Sequence, residues 1–235
     1  GLCQARDLPG VSAAIMGPDG LEYAFNYGFR DGAFTHPVDN DTLFGVASMS
    51  KSMTALCACI LASEGRLDLN APVSDFFPEF ELAGQPREAA TVRTLAMHTA
   101  GIPPMEPLEW SIAMNSEGRS ESDWLREMKR TAPNKMETID QIIAYIAHCG
   151  YNTLGAPGEV MSYSNEGYAI LSYIVDQAAG VPLEQFMQAR IFDPLGMTRT
   201  ILDNGVKAAR ALSGGNITSL FEVEDGRRTC DDCWS

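Results

Sequence analysis

The chain has 235 residues, 45% of them hydrophobic, enough for one large domain or two modest ones around a sizeable core. Its formal net charge of −14, from 17 basic and 31 acidic residues, argues against nucleic acid or an anionic membrane as the main partner. No apolar run approaches the roughly 18 residues that a membrane helix needs, so no membrane span is expected.

The chain opens Gly1-Leu2-Cys3-Gln4, with neither an initiator Met nor a leader pattern. That reads as a processed or cut start and leaves localisation, cytoplasmic or exported, open. Residues 11–16 and 21–28 are β-rich and flank Gly17-Pro18-Asp19-Gly20, which predicts a hairpin. Two strands are too few for a stable sheet, so further strands are expected. A polar link through Asp39-Asn40-Asp41 leads to Ser48-Met49-Ser50-Lys51 and a long apolar-periodic run. Met49, Met53, Leu56 and Ile60 fit one helical face, and Gly65 is the expected stop. Cys57 and Cys59 lie inside that helix and read as small hydrophobes.

A short helix ends over Leu95–His98 and is closed by Gly101 and the Pro103-Pro104 break. Residues 105–137 are polar and read as an insertion, in which Trp110 and Trp124 either line a cleft or pin the segment to the helices. Ile139, Ile142, Ile143 and Ile146 mark another amphipathic helix, stopped at Gly150. After Pro157-Gly158-Glu159 comes Tyr163-Ser164-Asn165, then a helix with Tyr168, Leu171, Ile174, Val175 and Ala178 inward and Gly180 as cap. Pro182 opens the next helix, and residues 201–235 read as loop-rich. Cys230 and Cys233 have metal or redox spacing, but no second pair and no nearby histidine completes a zinc site, so no metal or cofactor is expected. The spread of all six cysteines is unlike a secreted disulfide framework and favours a reducing compartment.

Two short motifs carry chemistry. Residues three apart share a helix face, so Lys51 can lie over Ser48, and a lysine with a lowered pKa in a dry site can take a serine proton. The helix N-terminus adds a field that favours a developing anion. Ser50 and Ser52 crowd the same turn, and spacing to Lys51 selects Ser48. Tyr163 offers a phenol that a nearby ammonium makes easier to ionise, and Asn165 has donors and an acceptor to hold Lys51 or a substrate amide. Each motif alone is also an ordinary helix start, with Ser164 or Asn165 as cap and Tyr163 in the core.

Together the motifs resemble the serine β-lactamase and penicillin-binding-protein superfamily, on its class C-type branch with esterases and D-amino-acid peptidases. The resemblance runs through residues 44–52, Glu64-Gly65-Arg66-Leu67-Asp68-Leu69, Phe77-Pro78-Glu79-Phe80, residues 95–103, Pro157-Gly158, Tyr163-Ser164-Asn165 and Pro194-Leu195-Gly196-Met197. It implies an α+β, β-lactamase/transpeptidase-like fold: a mostly helical domain plus an incomplete antiparallel sheet whose C-terminal strands are absent. The expected parts are an N-terminal hairpin over 1–47, a helical domain over 48–200, and the start of a return to the sheet over 201–235. The resemblance implies Ser48 as acylated nucleophile, Lys51 and Tyr163 as proton-transfer groups, and Asn165 as a substrate-binding or orienting residue. The backbone N–H of Ser48 would be one oxyanion donor, a kind of contact often worth about 3 kcal/mol.

One departure stands out. The family's third motif, Lys or His-x-Gly on a late strand, has no match in place. His148-Cys149-Gly150 has the letters but reads as a helix C-cap, and His98-Thr99-Ala100 belongs to the helical region, where structural roles prevail. The chain is therefore read as a fragment ending before its sheet is complete. The expected function is a serine hydrolase working through an acyl-enzyme on a small-molecule or peptide ester, amide or β-lactam. The alternatives are a non-hydrolysing penicillin-binding or sensor protein of the same fold, or a piece without activity as it stands. Oligomeric state is left open.

Overall fold

The computed structural model describes residues 1–107, 110, 126, 127, 130, 138–202, 206–224 and 227–231. In chain order come α1 (Leu2–Ala5), β1 (Gly10–Gly17), β2 (Gly20–Gly28), a 3-10 turn (Ala47–Met49), α2 (Ser50–Ser63), α3 (Val73–Phe76) and α4 (Val92–Ala96). Then follow α5 (Ile139–His148), α6 (Asn165–Ala179), α7 (Leu183–Met187), a π-helical turn (Gln188–Phe192), α8 (Val206–Ser213), β3 (Leu220–Glu224) and β4 (Arg227–Asp231). They form two compact units, one of Gly1–Ala47 with Phe192–Ser235, the other of Ser48–Ile191.

In the first unit β1 and β2 pair antiparallel from Gly10↔Gly28 to Gly17↔Gly20, with a register shift between Ile15 and Met16. The hairpin and its Gly-Pro-Asp-Gly turn match the sequence expectation. Gly28 has to be glycine, because its φ is +76° and a Cβ there would stand 2.1 Å from the Pro9 carbonyl oxygen. The apolar residues Ile15, Met16, Leu21 and Tyr23 are all exposed. Residues 201–231 are more regular than the loop-rich reading allowed: α8 is followed by β3 and β4, paired antiparallel from Leu220↔Asp231 to Glu224↔Arg227. Gly214 and Gly215, both at positive φ, follow α8, and each strand is five residues long. Asn216 ties the two chain segments of the unit together. Its carbonyl oxygen Oδ1 accepts from Arg30 at 2.8 Å and Thr42 at 2.9 Å, and its Nδ2 donates to Asp39 at 2.9 Å.

The second unit is built around α6. Ser164 caps its start by accepting the Gly167 N–H at 3.0 Å, and Gly180 ends it in the left-handed conformation at φ +66°. Arg66 donates to the Ala178 and Ala179 carbonyls, placing a cation at the negative end of the helix. Tyr168, Ile170, Leu171, Ile174, Val175 and Ala179 are buried, whereas Ala178 is only half-buried. Around α6 pack α2, α4, α5 and α7. They contribute Leu61, Leu95, Ile143, Ile146, Phe186 and Met187 to the core, each such side chain worth about 1.5–3 kcal/mol when fully buried. α5 starts with a Thr138–Gln141 capping box, has Cys149 as its C-cap, and is followed by Gly150 at φ +73°. The His148-Cys149-Gly150 letters thus mark a helix end.

The face of α2 is a correction. Thr54, Cys57, Ala58 and Leu61 are its buried stripe, while Met49 and Leu56, two of the four residues read as one apolar face, are exposed, and so is Cys59. α2 is apolar on more than one side, so helical periodicity fits two stripes equally well. Trp110 is buried and meets the Tyr145 ring edge-on at 5.3 Å, which favours the pinning role; Trp124 and most of the 105–137 insertion lie outside the described residues.

Candidate active site

Ser48 sits in the 3-10 turn that leads into α2, immediately after Ala47, whose φ is +42°. A non-glycine residue with positive φ is uncommon and is held there by its surroundings. The turn leaves Ser48 exposed ahead of the first turn of α2. Lys51, one helical turn on, donates from Nζ to Ser48 Oγ at 3.0 Å. The crowding serines sort themselves: Ser52 Oγ donates back to the Met49 carbonyl at 2.7 Å, so it is committed to the backbone.

Tyr163 arrives from the segment before α6. Lys51 and Ser48 both hydrogen-bond to its phenol oxygen, and Lys51 Nζ lies 5.0 Å from its ring centroid. Burial alone would push the phenol up, but the Lys51 and Ser48 hydrogen bonds and the Lys51 charge outweigh it and hold Tyr163 below the usual tyrosine range. A tyrosine so placed ionises more readily than a free one. Asn165, the first residue of α6, is half-buried two positions further on. Ser48, Lys51 and Tyr163 are therefore brought together from positions 48, 51 and 163, the first two as their spacing led one to expect and Tyr163 as the family resemblance implied.

Two further residues complete the surroundings. Tyr168, on the first turns of α6, donates its hydroxyl to the Ala96 carbonyl at 2.7 Å and presents its ring 5.8 Å from Lys51 Nζ. His98, which the sequence assigned to the helical framework, lies against the site itself. Its ring stacks on Tyr163 with centroids 4.4 Å apart at 27°, and lies 4.6 Å from the Tyr168 ring. Burial, then the Lys51 charge, push its pKa down. The signal for it was the run Met97-His98-Thr99-Ala100-Gly101, which mattered for the resemblance without revealing where the imidazole goes.

Ser164 is buried, and besides capping α6 it donates to Glu166 at 3.2 Å. Among the described residues no group of three or more His, Cys, Asp or Glu side chains is arranged to hold a metal ion. Cys233 lies outside the described residues.

The chain is similar to several known proteins. The family model described as Beta-lactamase matches residues 2–218. A β-lactamase of Pseudomonas fluorescens is 26% identical over 201 residues, 86% of this chain and 48% of its own. Esterase EstB of Burkholderia gladioli is 29% identical over 194 residues, 82% of this chain and 46% of its own. Among solved structures, the octameric penicillin-binding protein homologue from Pyrococcus abyssi superposes with a TM-score of 0.78 at 26% identity, covering 97% of this chain and 48% of that one. The chain thus spans about half the length of these relatives. With the family model matched over most of its length, the chain belongs to the β-lactamase family.

Proposed function

We propose that this chain carries the nucleophile and proton-transfer groups of a serine hydrolase acting through an acyl-enzyme on a β-lactam or ester substrate. The observation that carries the reading is the closed triangle of Ser48, Lys51 and Tyr163, with Lys51 donating to Ser48 Oγ at 3.0 Å and both residues bonded to the Tyr163 oxygen.

The chemistry follows from the direction of those bonds. The Lys51 ammonium fills a lone pair of Ser48 Oγ, which leaves the Ser48 O–H directed at Tyr163. Ionised Tyr163 takes that proton as Oγ forms a bond to the substrate carbonyl carbon, and the carbonyl oxygen becomes the oxyanion. The Lys51 charge stabilises the phenolate before the transfer. Tyr163 then hands the proton to the departing alkoxide or amine as the bond to the leaving group breaks, giving the acyl-Ser48 ester. Water attacks that ester, a proton passes back to Ser48 Oγ, and the carboxylic product leaves. Ser48 lies just ahead of the N-terminus of the 14-residue helix α2, whose field favours the oxyanion. Asn165 is read as the residue that orients the substrate, with an amide able to donate and accept.

The β-lactam and ester classes come from relatives named β-lactamase and esterase. The test is labelling of the full-length protein with a fluorescent penicillin and a fluorophosphonate, followed by turnover of a p-nitrophenyl ester and a chromogenic cephalosporin. Labelling that disappears in Ser48→Ala, together with multiple turnover, is the expected result. Labelling with a single turnover points to a penicillin-binding protein that does not hydrolyse, and an unlabelled folded protein overturns the nucleophile assignment.

A further inference from the structure

The His98 imidazole touches the segment that carries Tyr163 in three ways. The Ser164 N–H donates to Nδ1 at 3.1 Å, the Tyr163 ring stacks on it, and the Ser162 N–H donates to the His98 carbonyl at 2.7 Å. The backbone on both sides of Tyr163 is thus bonded to a single residue. A neutral imidazole has one donor and one acceptor nitrogen, and the Ser164 N–H requires Nδ1 to be the acceptor, so the proton resides on Nε2. An imidazolium has two donors and offers this N–H nothing.

His98 also holds an unusual backbone conformation. Its φ is +57°, just beyond Met97, the C-cap of α4. Left-handed geometry at a non-glycine residue persists where surrounding structure over-determines it, and it clusters at functional sites. Here it turns the imidazole between Tyr163 and Tyr168.

We propose that His98 is a positioning residue for acylation: its neutral imidazole, stacked on Tyr163 and accepting the Ser164 N–H, fixes the phenol oxygen against Ser48 and Lys51. This rests on the serine-hydrolase reading above. The titratable groups facing the imidazole are Lys51 from α2, Tyr163 from the segment before α6, and Tyr168 from α6; the Glu166 carboxyl lies one hydrogen bond beyond, through Ser164 Oγ. Burial and the Lys51 charge disfavour protonation of His98. As pH falls through its depressed pKa, Nδ1 gains a proton, the Ser164 N–H loses its acceptor, and a second cation faces Lys51. Tyr163 is then released from its register, and acylation slows on an acid limb that belongs to His98.

The experiment measures the second-order rate of fluorophosphonate labelling of full-length protein from acid to neutral pH. His98→Phe keeps a ring for stacking but has no acceptor. His98→Asn supplies an acceptor oxygen, tolerates left-handed backbone and cannot titrate. The expected result is a loss of about 10²-fold in His98→Phe, the cost of a misplaced reacting group. His98→Asn recovers most of that loss and keeps only the gradual fall set by protonation of Tyr163, without the added acid limb of His98. Nitrogen-15 NMR of the wild type shows Nδ1 unprotonated at neutral pH and taking up a proton where labelling falls. Wild-type labelling rates in folded His98→Phe, or an unchanged acid limb in His98→Asn, overturn the proposal. Should His98→Phe not fold, the asparagine variant and the NMR titration decide. Wild-type labelling that survives Ser48→Ala would overturn the hydrolase reading itself, whereas Ser48-dependent labelling indifferent to His98 overturns this proposal alone.

Discussion

Lys51 Nζ lies 3.0 Å from Ser48 Oγ, and both side chains hydrogen-bond to the Tyr163 oxygen. In the proposed mechanism the Tyr163 oxygen takes the Ser48 proton and Lys51 supplies the charge beside it. The proposal thus gives different parts to two residues that the sequence reading paired.

That separation makes Tyr163→Phe an activity variant and not a stability variant. The phenylalanine ring keeps the stacking against His98 and loses only a hydroxyl at a residue 43% exposed. Acylation of Ser48 in the full-length protein is expected to fall about 10²–10⁴-fold, the usual span for a lost general base. Unfolding stability is expected to change by less than about 1 kcal/mol. Stopped-flow labelling and urea denaturation measure the two, and equal losses in both would assign Tyr163 a structural role.

Tyrosinate absorbance gives an independent check. A phenol held below its ordinary pKa ionises at lower pH than a free one, so stability from Tyr163 is present above the unfolded value and is lost as pH falls through the folded value. Wild type minus Tyr163→Phe should show a tyrosinate step with a midpoint below the usual tyrosine value of about 10. Lys51→Met removes one hydrogen bond and the charge, and the step should move up in that variant. A midpoint at or above the ordinary value would remove the physical case for Tyr163 as base.

Much of this site was legible because its signals are local. Gly17-Pro18-Asp19-Gly20 forced a hairpin turn, glycines followed helix ends at 65, 150 and 180, and the Ser48–Lys51 spacing is a single helical turn. The inward face of α2 was not legible, since Met49, Met53, Leu56 and Ile60 offer as good an apolar stripe as Cys57, Ala58 and Leu61. Only the packing of α6 against α2 chooses between them. The role of His98 was hidden for another reason. Its partner Ser164 is 66 residues away, and its positive φ leaves no trace in residue type.

Asp31 supplies a pH test in the first unit. Burial would raise its carboxyl, but the His36 and Thr35 N–H groups and the Thr35 hydroxyl donate to it and hold it at about 2. With a depressed folded pKa, its contribution is fully present above the unfolded value of 3.8 and is lost as pH falls toward about 2. Asp31→Asn should therefore be less stable than wild type at neutral pH, and the gap should close on acidification through that window. Urea midpoints of both proteins at a series of pH values measure it, and a gap independent of pH would show that the turn does not depend on the charge.

The two stripes of α2 can be told apart by truncation. Leu61 is fully buried on α2, a helix that packs against α6 and α7, and Leu61→Ala should cost about 2–5 kcal/mol from lost transfer energy and the cavity left behind. Leu56 is 43% exposed, five residues earlier on the same helix. Because it already loses less contact with water on folding, Leu56→Ala should cost less than about 1.5 kcal/mol. Both changes remove the same atoms from one helix, so their effects on helix propensity cancel in the comparison. Equal destabilisation of the two variants in urea would mean that the face carrying Met49, Met53, Leu56 and Ile60 is as well buried in the folded protein as the face carrying Leu61.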